Sequence, residues 1–232
     1  MPLHRRTGRH PKAASPMADR KPDPAQIVRA FADGQAAVRA DEAARRAARP
    51  GAAVLIPLLP TDAGYDVLFE VRALHLGRQP GEVCFPGGHR NVGESGQAAA
   101  VRETCEELLV QPSQVRVLGA LDGDADPKGM PVHVAYGLLS GYAGTWSADE
   151  VDRTFTVPLA WFLTHEPQVY TGTSVPVFGD DFPWDAIPGG RAYPWRSPTR
   201  EVTFYRGTDP LVWGMTARMM HRFTDILKRG GL

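Results

Sequence analysis

The chain has 232 residues, 43% of them apolar, with 26 basic and 26 acidic side chains that cancel to a formal net charge of zero. That supports one sizeable domain with decorations, and the lack of a basic surplus argues against nucleic acid or an anionic membrane as partner. Two cysteines, Cys84 and Cys105, are too few for a disulfide framework and lack the CxxC spacing of zinc sites. Both are read as small buried apolar residues. No apolar run reaches the length of a membrane span, and the N-terminus lacks the apolar block of a secretory signal. A soluble cytoplasmic protein is expected.

Residues 1–22 carry Arg, His, Pro and Ala with little to bury, and are expected to form a disordered tail. Met17 is an alternative start. Residues 23–49 read as a helical extension, opened by Asp23-Pro24 as N-cap and first helical residue. AAVLIPLL from Ala52 is a buried strand, and YDVLFEVR is its hairpin partner across a turn at 60–64. QVRVLGAL and VHVAYGLL are two more strands. Between them Asp122, Asp124 and Asp126 invite a calcium loop. Pro127 stands where that loop needs glycine and His133 where it needs glutamate, so a polar turn is expected. VDRTFTVPLAWFL reads as a strand entering a short helix at Pro158. Residues 175–200, rich in Pro, Gly and aromatics, form an irregular insertion whose aromatics are expected to pin it to the body. A last strand follows at 201–206. Asp209-Pro210 is expected to open a C-terminal helix over 210–229, closed by Gly230.

Gly88 to Val110, GHRNVGESGQAAAVRETCEELLV, holds the densest chemistry. Its second half has helical spacing, with Ala98, Val101, Cys105, Leu108 and Leu109 as the expected core-facing stripe. Glu103, Glu106 and Glu107 fall opposite, within about a third of the circumference. Arg102 is the only nearby cation, so these carboxylates repel one another. A hard divalent cation, Mg²⁺ or Mn²⁺, would offset that repulsion. The plain alternative is a solvated acidic face.

Phe85-Pro86-Gly87-Gly88 precedes this segment as a turn followed by flexible backbone, and Glu94 stands six residues after Gly88. Together these residues resemble the signature of the Nudix hydrolases, G-x5-E-x7-R-E-U-x-E-E-x-G-U, where U is a bulky apolar residue. Gly88, Glu94, Arg102, Glu103, Glu106, Glu107 and Val110 match it. Thr104 stands in the first apolar slot. Leu109 replaces the final glycine, the residue that most easily turns left-handed behind a helix, which leaves the shape of the next loop open. The resemblance implies an α/β fold, a Nudix-type α/β/α sandwich with a mixed sheet, here with an N-terminal helix and a C-terminal helix added. The domain would cover 50–232.

Arg72, Ala73, Gly81 and the Phe85–Gly88 run are most similar to the element that precedes the box in the coenzyme A pyrophosphatase-like subfamily. Phe69 and Glu70 depart from its Leu-Thr pair, and Arg78 lies one step beyond its second arginine. Glu150-Val151, Val157-Pro158-Leu159 and Trp213 to Arg218 resemble the same subfamily. It implies Mg²⁺ or Mn²⁺ held by Glu103, Glu106, Glu107 and the Gly88 carbonyl, with Arg102 orienting the carboxylates. Glu94, with Gly87, would be structural. Arg72 and Arg78 would bind phosphate, surface ion pairs being their alternative role. The general base is Glu103 or a residue outside the box, with Glu150 and Asp152 as candidates. The expected reaction is cleavage of the coenzyme A diphosphate to 3′,5′-ADP and 4′-phosphopantetheine. ADP-ribose, NADH or a nucleoside triphosphate is the alternative substrate, and a non-catalytic nucleotide-binding module the alternative class. A small-molecule nucleotide is the expected partner, and a homodimer is left open.

Overall fold

The computed structural model describes residues 51–125 and 129–230. The expected tail and N-terminal helix lie outside the described residues. The described residues form ten strands: β1 (Ala52–Thr61), β2 (Gly64–Arg72), β3 (Val83–Cys84), β4 (Gly87–His89), β5 (Val115–Ala125), β6 (Pro131–Leu139), β7 (Val151–Pro158), β8 (Gln168–Thr173), β9 (Thr199–Tyr205) and β10 (Val212–Trp213). Three α-helices accompany them among the described residues: α1 (Gly96–Leu108), α2 (Leu159–Thr164) and α3 (Gly214–Arg229).

The main sheet is seven-stranded, in the order β3-β2-β1-β6-β5, with β4 also on β1 and β7 also on β2. β1 runs parallel to β6 and antiparallel to β2 and β4, so the sheet is mixed as expected. β2 and β4 share one edge of β1: β2 pairs with Leu58–Thr61 and β4 with Ala52–Val54. The two hairpin strands therefore part midway, and the Phe85–Gly88 turn enters the gap, where the Leu55 N–H donates to the Pro86 carbonyl at 3.0 Å. The turn anticipated from sequence is thus itself bound into the sheet.

Side chains alternate across these strands. Ile56, Val67, Phe69, Val71, Val132 and Val134 face a core completed by Phe162 of α2 and Met219, Met220 and Phe223 of α3. Ala53, Leu55 and Ala135 face Ala99 and Ala100 of α1, while Leu68 meets Leu108. Helices thus cover both faces, giving the expected α/β/α sandwich. The small alanines let α1 lie close to the strands.

Several expected elements shift. The α1 stripe is rotated: Ala99, Ala100, Thr104, Glu107 and Leu108 are buried, whereas Ala98 and Leu109 are exposed. Alanine and threonine gain burial because close helix–sheet packing selects for size as well as polarity. The Thr104 hydroxyl is satisfied inside the helix by donating to the Ala100 carbonyl at 2.7 Å. Cys84 and Cys105 are half-buried rather than buried. The backbone of Asp122 to Ala125 continues β5 instead of forming a turn, paired with Pro131 and Val132. The C-terminal helix starts at Gly214, not at 210. Val212–Trp213 are drawn into pairing with Tyr205 and Phe204, and the Val212 N–H donates to the Thr208 hydroxyl at 2.8 Å. β8, paired with β9 in a separate three-stranded sheet, was not anticipated. The insertion holds only two 3₁₀ turns, Trp184–Ala186 and Gly190–Ala192. Its aromatics pack on one another, with Phe178 to Phe182 at 4.0 Å and Tyr193 to Trp195 at 4.8 Å between ring centroids.

Candidate functional site

Ser95 starts α1 as its N-cap, its hydroxyl accepting from the Ala98 N–H at 3.1 Å. About two turns further, Arg102 gathers the acidic residues. Its Nε and Nη2 make a two-pronged contact to Glu94 at 2.9 and 3.0 Å. Nη1 donates to Glu103 at 2.8 Å and Glu106 at 3.0 Å, and Nη2 also reaches the His89 carbonyl at 3.0 Å. All the guanidinium's N–H directions are thereby used, in the fork geometry that suits arginine to carboxylates. Glu94 also accepts from the Asn91 N–H at 2.8 Å, and Arg90 braces the Glu94 carbonyl at 2.7 and 3.1 Å. The Arg102 hydrogen bonds hold the Glu94 carboxyl down to about 2, well below the ordinary carboxylate range. The geometry is that of a brace for the 89–95 loop.

The box glutamates stand in three different environments. Glu106 is exposed. Glu103 lies against the Gly88 backbone, where a Cβ would fall 2.6 Å from its carboxyl carbon. Burial raises its pKa, while its bond to Arg102 pulls the other way. Glu107 is buried, and its Oε2 accepts from the Gly87 N–H at 2.7 Å. Burial pushes it up to about 8, opposed by that bond and reinforced by the charges of Glu150 and Glu103. The acidic face is therefore only partly solvated: Glu103 and Glu107 meet the glycine turn, while Glu106 stays exposed beside Arg102.

Glu150 is exposed, yet its charge acts on Glu103, Glu107 and Glu70. Its segment is anchored twice. The Ala73 N–H donates to the Glu150 carbonyl at 2.9 Å, and the carbonyls at the end of α1 are capped by the Ser147 N–H on Glu107 and the Thr145 hydroxyl on Leu108, each at 2.7 Å. Asp152 is instead paired with Arg153 at 2.7 Å. Arg72 is half-buried at the end of β2, where its charge lowers the pKa values of Glu70 and Glu107 and its Nε donates to the Arg78 carbonyl at 3.4 Å. Only the backbone of Arg78 takes part in that contact, and its side chain is exposed.

Glu70 escaped the sequence reading of the site. It is 1% exposed, its Oε1 has no hydrogen-bond partner, and its carboxyl is close enough to that of Glu107 to share a hydrogen bond. Burial, then the neighbouring Glu107, raises its pKa well above the ordinary value. The available signal was a lone acidic residue inside Val67-Leu68-Phe69-Glu70-Val71, a strand otherwise built to be buried.

This donor set fits a hard divalent cation in its chemistry: it is all oxygen, partly desolvated, and includes a buried oxygen lacking a partner. Among the described residues, no three His, Cys, Asp or Glu side chains already converge as a finished metal shell. Glu103 and Glu106 are turned to Arg102. Among the described residues, no helix is long and apolar enough to cross a membrane.

Residues 49–174 match the NUDIX domain family. The chain is 35% identical over 172 residues to the peroxisomal coenzyme A diphosphatase of Mus musculus, covering 72% of this chain and 65% of that protein. It is 37% identical over 134 residues to the mitochondrial coenzyme A diphosphatase of Homo sapiens, covering 55% and 57% of the two chains. It is also 37% identical over 114 residues to Nudix hydrolase 3 of Caenorhabditis elegans, covering 46% of each. The matches thus span less than two thirds of each relative's length.

Proposed function

Since this chain belongs to the NUDIX family, we propose that it is a divalent-metal-dependent hydrolase that cleaves the diphosphate of coenzyme A, or of a coenzyme A derivative, to 3′,5′-ADP and 4′-phosphopantetheine. One observation carries the reading. Glu103 and Glu107, one turn apart on the same face of α1, both meet the Gly87–Gly88 turn, one against its backbone and one on its N–H. Carboxylates and a glycine carbonyl at one place suit an ion that also binds phosphate oxygens. The substrate choice draws on two relatives named as coenzyme A diphosphatases.

Glu103, Glu106, Glu107 and the Gly88 carbonyl would hold Mg²⁺ or Mn²⁺, which neutralises phosphate charge and makes a water more acidic. Arg102 sets the directions of Glu103 and Glu106 through its Nη1. Glu150, whose charge is felt by both inner glutamates, would accept the proton of the attacking water. The water oxygen forms the new bond to phosphorus as the bridging P–O bond breaks, and the departing phosphate leaves with the electron pair of that bond. Arg72, on the rim of the carboxylate cluster, offers its guanidinium to a phosphate oxygen, and the exposed Arg78 side chain extends that reach. The cytoplasm expected from the sequence remains part of this proposal, although the two named diphosphatases are peroxisomal and mitochondrial.

The test is turnover with Mg²⁺ or Mn²⁺ of coenzyme A, ADP-ribose, NADH and nucleoside triphosphates, compared by kcat/KM, and then of the Glu107→Gln variant. Coenzyme A is expected to lead the panel and Glu107→Gln to lose at least about 100-fold, as loss of a metal-site carboxylate does. A higher kcat/KM for another nucleotide would remove the substrate assignment. Full turnover by Glu107→Gln would remove the metal site.

A further inference from the structure

We propose that Glu70 is an additional oxygen ligand of the cation site, presented from the sheet opposite the α1 glutamates. The inference rests on the metal reading above and adds to it a residue outside the box. Along β2, Val67, Phe69 and Val71 point to the core shared with α2 and α3, while Leu68 points to α1 and packs with Leu108. Strand alternation puts Glu70 on the same face as Leu68, two positions on. It therefore comes beside Glu107, the residue immediately before Leu108.

An apolar side chain would fill this place without penalty, as Leu68 does beside it. A carboxyl here is desolvated on every side, and its Oε1 meets no donor. Its nearest acidic neighbour, Glu107, is itself buried and already has Oε2 engaged by the Gly87 N–H. Two carboxyls pressed together in a dry interior repel unless something positive or a proton lies between them. Arg72, next but one along β2, is the cation at hand, and its Nε is directed to the Arg78 carbonyl. An ion beside Glu70 and Glu107, whose Oε2 already reaches the glycine turn, supplies that compensation. A proton shared between Glu70 and Glu107, with no ion contact at Glu70, is the competing account.

Mn²⁺ binding to the substrate-free protein separates the two, read by calorimetry and by the Mn²⁺ electron paramagnetic signal. Glu70→Gln keeps the shape and can donate to Glu107, so a pure pairing role survives the change. The expected result is a Kd for Mn²⁺ at least tenfold weaker in Glu70→Gln, with a smaller rise in Tm on adding the ion. An affinity within twofold of the unaltered protein overturns the proposal while leaving the box metal site intact. No uptake by the unaltered protein overturns both. Should Glu70→Gln fail to fold, anomalous diffraction from Mn²⁺-soaked crystals of the unaltered protein decides. Manganese at bonding distance, roughly 2.0–2.3 Å from a Glu70 oxygen, supports the assignment, and manganese on the α1 glutamates alone overturns it.

Discussion

Gly88 and Glu103 touch at a point where no side chain fits: a Cβ on Gly88 would stand 2.6 Å from Oε2 of Glu103 and 2.7 Å from its Oε1. The obstacle is the free end of a side chain, so the fold can yield there. Gly88→Ala is expected to fold with nearly the usual Tm while pushing the Glu103 carboxyl aside. A displacement of about an ångström in a catalytic group costs on the order of 100-fold in rate, so kcat/KM is the readout. Normal turnover would show that Glu103 need not sit against Gly88.

Gly87 presents the opposite case. A Cβ there would lie 2.3 Å from the Ala53 carbonyl oxygen and 2.7 Å from the Val54 Cα, and its φ is +157°. Backbone in a paired strand cannot step aside. Gly87→Ala is expected to lose roughly 2–4 kcal/mol of stability, measured by chemical unfolding. Comparing the two adjacent glycines separates a site defect from a folding defect.

Leu109 ends α1 in the left-handed conformation at φ 54°, ψ 43°, its N–H donating to the Cys105 carbonyl. It is 59% exposed, so little packing compensates for the strain. Leu109→Gly should stabilise the protein by about 0.5–1 kcal/mol, the left-handed penalty less the added chain entropy of glycine. The expected rise in Tm is roughly 1–4 °C. A fall in Tm would mean that Leu109 packing outweighs its backbone strain.

Acid stability should report the Glu94–Arg102 brace. Glu94 is held down to about 2 in the folded chain, below its value when unfolded. The unfolded state therefore binds its proton first as pH drops, and the brace's contribution is complete above about pH 4.5 and fades toward pH 2. Comparing unaltered protein with Glu94→Gln in urea at pH 7, 4 and 2.5, the stability difference is expected to shrink at each step down. A difference constant with pH would rule out an ionised Glu94 as its source.

The aromatic insertion offers a test of modularity. Its rings pack on one another, and the Ser174 N–H to Pro198 carbonyl bond at 3.0 Å closes its base. Replacing residues 175–197 with a short turn is expected to preserve cooperative unfolding and to change stability by no more than about 1–2 kcal/mol, the scale of loop-closure entropy. Loss of cooperative unfolding would show that the rings support the domain. A changed KM in a stable deletion would assign the insertion to substrate contact.

Residue spacing alone sets the local pieces. The paired strands from Ala52 and Tyr65, the helix carrying Glu103, Glu106 and Glu107, and the glycine turn ahead of it follow from residue spacing, because alternation and helical periodicity act over a few neighbours. Which way those pieces face follows from long-range packing. It turned α1 so that Ala100, Thr104 and Glu107 meet the sheet, and it drew Val212–Trp213 into a strand through Tyr205 and Phe204. It also brought Glu70 beside Glu107, 37 positions later in the chain. Burial and contact across such separations depend on how strands and helices stack. A residue's own neighbours in sequence carry no record of that stacking.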